Sequence, residues 1–313
     1  MLSRTASNLY WMGRYLERAD FTARLIEATQ RLAALPSSYG GAGNAWESAL
    51  ASTWMTFSYK ARGLPIDEHS ITEFLTLDPE NPSSIRSCLE VARANARSVR
   101  TALTEEAWEA INTAWLEIAR YGTKLASRDT LGPLLDLVKH AISAFEGAAQ
   151  RTMLRGDAFW FVNLGSAIER ADNSARLLDV KYHLLLPRGE SVGGSLDYFQ
   201  WTTILRTVSA MTAYRWVYRD SVKPWLVADL LILNHQMPRS LAACYDEILR
   251  HLDLLAAHSG KRGPAHRLAA SGHAKLMGGD IDAIFAAGLH EFLTQFINDN
   301  NKLGDAIAEQ YLF

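Results

Sequence analysis

Two sets of charged side chains, one in each half of the chain, have the types and spacing that could do chemistry. Their members recur every three or four residues: Glu17, Asp20 and Arg24, then Glu169, Asp172 and Arg176. On a helix this spacing places each set along one face. Because Asp and Arg stand four residues apart in both sets, the pattern is typical of helical ion pairs.

Three kinds of chemistry fit this pattern. The charges could form a structural ion-pair network where two helices meet. Carboxylates from facing helices could hold a divalent cation such as Mg²⁺, whereas a di-iron site needs Glu-x-x-His, and no His stands three residues after Glu17 or Glu169. Arginines could instead line a groove and bind a carboxylate or phosphate group. The arginines concerned are Arg14, Arg18, Arg24, Arg170 and Arg176.

The two charged sets belong to an internal repeat. Residues 13–25 and 165–177 share the pattern G-x-x-[LI]-E-R-A-D-x-x-A-R-L, and a Gly-Gly pair follows in each half. The pattern P-x-S-[IL]-x-x-C then recurs, ending at Cys88 and Cys244. The offset between matching residues drifts upward by only a few residues, as loop insertions between fixed helices would produce. The sequence therefore predicts two similar halves, at about 1–152 and 153–313.

The elements that carry these motifs are predicted to be helices. Apolar residues beside both charged sets recur at the spacing of one helix face. Gly13 and Gly165 would lie inside these helices, where glycine is costly unless another backbone approaches closely, so we expect the two helices to cross there. Pro82 and Pro238 are expected in the first turns of further helices, with Ser84 just inside the first of them.

Further helices are expected in long periodic runs at 90–100, 105–125, 134–150 and 281–310, and no period-two strand is found. The predicted fold is all-α: an internally duplicated helical bundle whose two similar halves pack about a pseudo-twofold axis. Because the halves are expected to share one core, residues 1–313 are interpreted as a single domain.

Composition excludes several classes of protein. With 48% hydrophobic residues and a formal charge of −2, the chain is neither disordered nor a basic nucleic-acid module. The most apolar segment, 225–233, is short and contains Asp229, so no membrane span is expected. No secretory signal precedes the first helix, which favours a cytoplasmic protein with reduced cysteines. Glycine-rich segments at 40–44 and 189–195 could cradle an anion, but plain loops are favoured.

The residues then indicate a family. The run from Leu2 to Ala19, together with residues 81–85 and the second Glu-Arg pair, resembles the bacterial alpha-E domain family. The resemblance covers essentially the whole chain and maps the family's Glu-Arg motif onto Glu17-Arg18 and Glu169-Arg170. It implies a helical fold and a role in peptide or amide-bond-forming metabolism, with a circularly permuted ATP-grasp amidoligase as partner and a transglutaminase-like peptidase as a further one. It supplies no demonstrated reaction for the domain.

Three functions stay open at this point. The first is a non-catalytic binding or accessory subunit of an ATP-grasp ligase. The second is an enzyme that uses the paired Glu, Asp and Arg residues, with or without Mg²⁺, for acyl or amine transfer. The third is a structural dimerisation scaffold, so a homo-oligomer is also open. Ligand or partner contacts are expected at the charged residues named above, with Trp11, Asn81 and His183 as secondary candidates.

Overall fold

A computed structural model describes residues 1–34, 42–125, 128–183, 194–260 and 262–311. Within these ranges the chain forms fifteen α-helices, two short 3-10 helices and no strand, so the prediction of an all-α fold is confirmed. The α-helices are α1 (Ser3–Ala33), α2 (Ala42–Ser52), α3 (Thr56–Ala61), α4 (Glu68–Thr76), α5 (Ile85–Ser98), α6 (Glu105–Ala119), α7 (Leu131–Thr152), α8 (Asp157–His183), α9 (Ser195–Thr207), α10 (Met211–Tyr218), α11 (Pro224–Ile232), α12 (Leu241–Ser259), α13 (Pro264–Met277), α14 (Ile281–Ala287) and α15 (Leu289–Tyr311). The 3-10 helices are Arg100–Ala102 and Arg128–Thr130.

Helices α1 and α8 form the centre of the molecule and carry the two Glu-Arg motifs. They pack on each other, α5 and α7 pack on α1, and α12 and α15 pack on α8. Their apolar stripes, including Leu9, Leu16, Leu164 and Ile168, are completely or almost completely buried. Because both central helices are covered on several sides, their charged faces are also enclosed, which is unusual for such residues.

The crossing of α1 and α8 depends on two glycines. A Cβ atom added to Gly13 would lie 2.2 Å from the carbonyl oxygen of Val162, and one added to Gly165 would lie 2.0 Å from that of Tyr10. No side chain fits at these distances, so each glycine lets the facing backbone approach. The close crossing predicted from the sequence is confirmed.

The helices that follow the two P-x-S segments begin later than predicted. The Ser84 hydroxyl accepts a hydrogen bond from the Ser87 amide at 3.1 Å, so this serine caps α5 from outside its first turn. The Ser240 hydroxyl accepts one from the Ala243 amide at 3.0 Å and caps α12 in the same way. The prediction that Pro82 and Pro238 lie in first helical turns was therefore wrong, because the serine caps set the start three residues after Pro82.

The predicted C-terminal helix is two helices. The run 281–310 breaks at Gly288, whose φ of 105° lies in a region that favours glycine, and α14 and α15 lie on either side of it. The run 105–125 likewise ends early, since α6 stops at Ala119. Among the described residues, no helix is both long and apolar enough to cross a membrane.

Both cysteines are buried and free. Burial raises the pKa of each thiol, Cys88 and Cys244, to about 12. Most of the two glycine-rich segments, at 40–41 and 189–193, lies outside the described residues, and so does the side chain of His183.

Candidate functional site

The two Glu-Arg motifs complete each other across the crossing of α1 and α8. Glu17 and Glu169 are each only 2% exposed. Arg170 of α8 donates from Nε and Nη2 to Oε2 of Glu17 at 3.1 and 2.7 Å. In return, Arg18 of α1 donates from Nε to Oε1 of Glu169 at 2.6 Å. Each motif therefore supplies the arginine that neutralises the glutamate of the other.

A second arginine joins each glutamate, and it comes from a different place in the two halves. Glu169 accepts a hydrogen bond from Nε of Arg14 at 2.8 Å. Glu17 accepts one at 2.7 Å from Nη1 of Arg239, which lies just before α12. Arg239 also donates from Nη2 to Asp20 at 2.7 Å. Sequence reasoning missed this arginine because the same place in the other P-x-S segment is occupied by Ser83, so the matched motifs do not single it out.

The arginines keep both glutamates ionised despite their burial. Burial raises the pKa of Glu17, but the guanidinium groups of Arg170 and Arg239 outweigh it and lower this pKa to about 2. Burial likewise opposes ionisation of Glu169, and Arg18 and Arg14 lower its pKa to about 2. Such pairs are strongly destabilising when one partner is removed, because a buried charge is then left unpaired.

The two aspartates form the helical ion pairs expected from their spacing. Arg24 donates from Nε to Asp20 at 2.7 Å, and Arg176 donates from Nε to Asp172 at 2.5 Å. The two pairs differ in their surroundings. Asp20 also receives Arg239, whereas Arg176 is the single cation bonded to Asp172 within the described residues, and burial raises the pKa of Asp172.

Two cavities adjoin the charged crossing. The larger, of about 490 Å³, lies between α7, α8 and α12 and is lined by Arg170, Glu146 and His235, among others. Arg170 donates to Glu146 there at 2.8 Å. The smaller, of about 170 Å³, lies between α1, α2 and α8 and is lined by Arg18 and Arg176, among others. Arg170 thus lines the larger cavity, Glu169 and Asp172 line the smaller one together with Arg18 and Arg176, and Glu17 lines neither.

The secondary candidates have simpler surroundings. Trp11 is partly buried, with the guanidinium carbon of Arg14 4.7 Å from its ring centroid. Asn81 is 1% exposed, donates to the Phe74 carbonyl oxygen at 2.9 Å and accepts from the Ser83 amide at 2.9 Å. These contacts order the loop before α5.

The donor set of the crossing suits arginine more than a metal. Each of the four central carboxylates already accepts at least one guanidinium hydrogen bond, so positive charge is supplied within the chain. No group of three or more His, Cys, Asp or Glu residues within the described ranges is arranged to hold a metal ion. Binding of Mg²⁺ stays a prediction, and no step below depends on it.

The same Glu-Arg pairs connect this chain to known proteins. The model of the Alpha-E family, described as a predicted alpha-helical domain with a conserved ER motif, matches residues 1–312. The chain belongs to the Alpha-E family. The sequence contains two Glu-Arg dipeptides, Glu17-Arg18 and Glu169-Arg170, and both lie at the crossing of the central helices. In this Alpha-E protein each dipeptide therefore supplies a buried glutamate and the arginine that pairs with the glutamate of the other.

Curated relatives are distant and longer. The Alpha-E chain is 25% identical over 299 residues to an uncharacterized protein of Mycobacterium bovis, and the match covers 83% of this chain and 31% of that protein. An uncharacterized protein of Mycobacterium tuberculosis strain CDC 1551 matches with the same identity and coverage. The chain thus spans about a third of the length of the curated relatives it matches. No solved structure matches it significantly.

Proposed function

We propose that this Alpha-E chain is a non-catalytic binding and accessory module. The proposal depends on one observation: Glu17 and Glu169 are almost completely buried, and each is held ionised by hydrogen bonds from two arginines. A general acid or base needs a carboxyl group whose proton can be exchanged with a reacting group within reach. Glu17 and Glu169 lack that freedom, whereas Arg170 and Arg18, which bond them, line cavities that could bind a ligand.

The proposed partner is an ATP-grasp-type ligase in peptide or amide-bond-forming metabolism, with a transglutaminase-like peptidase as a further partner. The resemblance to the alpha-E domain family supports this proposal. The greater length of the mycobacterial relatives is consistent with a module that works beside another unit. Exposed aromatic side chains supply a contact surface, since Trp216 of α10 is 76% and Phe57 of α3 is 86% exposed. The cytoplasmic setting expected from the sequence stays a prediction.

We also infer that the module is one domain built from two copies, at about 1–152 and 153–313, packed about a pseudo-twofold axis. Local geometry supports this inference. Trp54 and Ser209 both have positive φ angles, 58° and 56°, at matching places after α2 and α9. The Tyr59 hydroxyl donates to the carbonyl oxygen of Pro65 at 2.5 Å, and the Tyr214 hydroxyl donates to that of Ser221 at 2.7 Å. Such idiosyncratic features are improbable as independent coincidences.

The second candidate is an enzyme for acyl or amine transfer, favoured by the larger cavity. Burial raises the pKa of Glu146, which lines it, and Nδ1 of His235 lies 2.5 Å from Asp246 on the same wall. These groups could exchange protons with a ligand. A dimerisation scaffold is the third candidate, and a homo-oligomer stays a prediction.

Co-purification tests the accessory role. The chain is expressed with an ATP-grasp ligase of the kind that the family resemblance implies, and we expect the two to co-elute, with Trp216→Ala weakening the complex. The matched control is Leu116→Ala, since Leu116 is also an exposed apolar residue, 50% exposed, on α6. Failure to associate with or without nucleotide would overturn the proposal. Loss of amide formation by the assembled pair on Glu146→Gln, with complex formation intact, would favour the enzyme.

A further inference from the structure

The smaller cavity lies where the two halves of the network differ. Its walls include Ser83, Trp54 and Arg176. In the other half, the position that matches Ser83 is occupied by Arg239, whose guanidinium reaches Glu17 and Asp20. Glu169 instead receives its second arginine from α1 itself, through Arg14. The space that the Arg239 side chain fills in one half is therefore left open beside Ser83 in the other.

The charges of the two halves also differ. On one side, three arginines bond three carboxylates. Arg170 bonds Glu17 and Glu146. Asp20 accepts from both Arg24 and Arg239, and Arg239 also bonds Glu17. The charged cluster beside the smaller cavity has three arginines and two carboxylates. Arg18, Arg176, Glu169 and Asp172 line this cavity, and Arg14 bonds Glu169 from outside its walls. This side thus carries one positive charge more than its carboxylates neutralise.

Two hydrogen-bond donors among the residues that line this cavity lack partners. Nη1 of Arg176 and Nδ2 of Asn173 are buried and have no acceptor among the described residues. Asn173 is only 4% exposed. A buried donor without an acceptor costs about 1–3 kcal/mol, so a ligand that supplies oxygen atoms here would remove a real penalty. Thr22 and Ser83 line the same cavity.

We infer that this cavity binds the carboxylate group of a small molecule, between Arg176 and Asn173. The inference deepens the proposed binding role and rests on it. One uncompensated positive charge matches one negative charge, whereas a phosphate dianion would face the nearby carboxylates of Glu169 and Asp172 with an excess charge. A volume of 170 Å³ equals that of about five or six water molecules at ~30 Å³ each, enough for a carboxylate on a short chain.

Two neighbouring features favour this occupant. The ring of Trp54 lies 4.4 Å from the guanidinium carbon of Arg176 and is 60% exposed, so it forms a partly apolar rim beside the carboxylate position. A stacked arginine is held in a fixed plane, which suits recognition of a planar carboxylate. Burial raises the pKa of the Asp172 carboxyl, which makes its protonation easier when an anion enters.

Saturation-transfer NMR on the full chain tests the inference with propionate as the probe. We expect propionate to bind, and its neutral isostere propionamide to bind at least tenfold more weakly. Ser83→Arg places in this cavity the side chain that Arg239 places in the other half, so it should reduce propionate affinity at least tenfold. The matched control is Ser98→Arg, which adds the same charge at the last residue of α5, where Ser98 is exposed, and should leave affinity unchanged.

A second variant, Asn173→Leu, removes one donor at similar volume and should weaken propionate binding about threefold or more, with circular dichroism showing that the fold is retained. Absence of propionate binding, or equal affinity in the Ser83→Arg protein, would overturn the inference. Tighter binding of inorganic phosphate or methylammonium at the same cavity would overturn the assignment of a carboxylate. Because no ligase takes part, a failure here is distinguishable from a failure of the accessory role, which co-purification reports separately.

Discussion

The crossing of α1 and α8 yields a sharp prediction about Gly165. The Cβ atom of Gly165→Ala would lie 2.0 Å from the carbonyl oxygen of Tyr10, whereas ordinary van der Waals contact begins near 3.4 Å. The two helices must therefore separate by about 1.4 Å. Forced repacking of this kind costs about 1–3 kcal/mol, and lengthening the charged hydrogen bonds across the crossing adds about 1.5–3 kcal/mol for each bond lost. Alanine recovers at most about 1 kcal/mol in helix propensity.

With one such bond lost, we therefore expect Gly165→Ala to reduce the free energy of unfolding by about 2 to 5 kcal/mol, measured by urea denaturation followed at 222 nm. Gly147→Ala is the matched control, because Gly147 also lies inside a helix, α7, and nothing lies within 4 Å of an added Cβ there. That variant should gain about 1 kcal/mol. The double variant Gly13→Ala with Gly165→Ala should cost less than the two single changes combined, since one separation relieves both contacts. Wild-type stability of Gly165→Ala would refute the close crossing.

Three further predictions concern the buried groups. Glu17→Gln leaves the partly buried Arg170 and Arg239 undercompensated and should cost about 3 kcal/mol in urea denaturation. The pKa values of Glu17 and Glu169 are about 2 in the folded chain, against an ordinary 4.5, so both ionised carboxylates stabilise the fold above pH 4.5. About 3 kcal/mol of unfolding free energy for each should be lost as the pH falls from 4.5 towards 2. Glu17→Gln should make the unfolding free energy less dependent on pH in this range. Cys88 and Cys244 should not react with a thiol reagent at pH 8 until urea unfolds the chain, since their pKa values are about 12; rapid labelling of the folded protein would contradict their burial.

The sequence predicted the parts of the fold that depend on local pattern. Helical periodicity indicated the long helices, and Gly13 and Gly165 indicated the crossing, because a mid-helix glycine needs a reason in packing. Breaks inside periodic runs were missed. Gly288 separates α14 from α15 although the periodic pattern continues across it, and its φ of 105° is a conformation that glycine permits but does not require.

The sequence predicted which charged residues lie in the candidate site but not which arginine bonds which glutamate. The spacing of Asp20 and Arg24 requires them to lie on one helix face, so their ion pair could be predicted locally. The exchange of arginines between Glu17 and Glu169 depends on the register of two helices more than a hundred residues apart, which no local rule determines. Arg239 and Asn173 were missed for a related reason, since their counterparts in the repeat are Ser83 and Phe21.

Those two departures from the repeat bear most directly on function. Residues that are the same in both halves hold the two central helices together, and the glutamates paired with arginines of the other helix are the main example. A position where the halves differ instead gives one side a binding property that the other side lacks. Ser83 opposite Arg239 opens a space, and Asn173 opposite Phe21 adds a polar donor to the wall of that space. Both substitutions fall on the side with the extra positive charge, so three separate differences between the halves converge on one cavity.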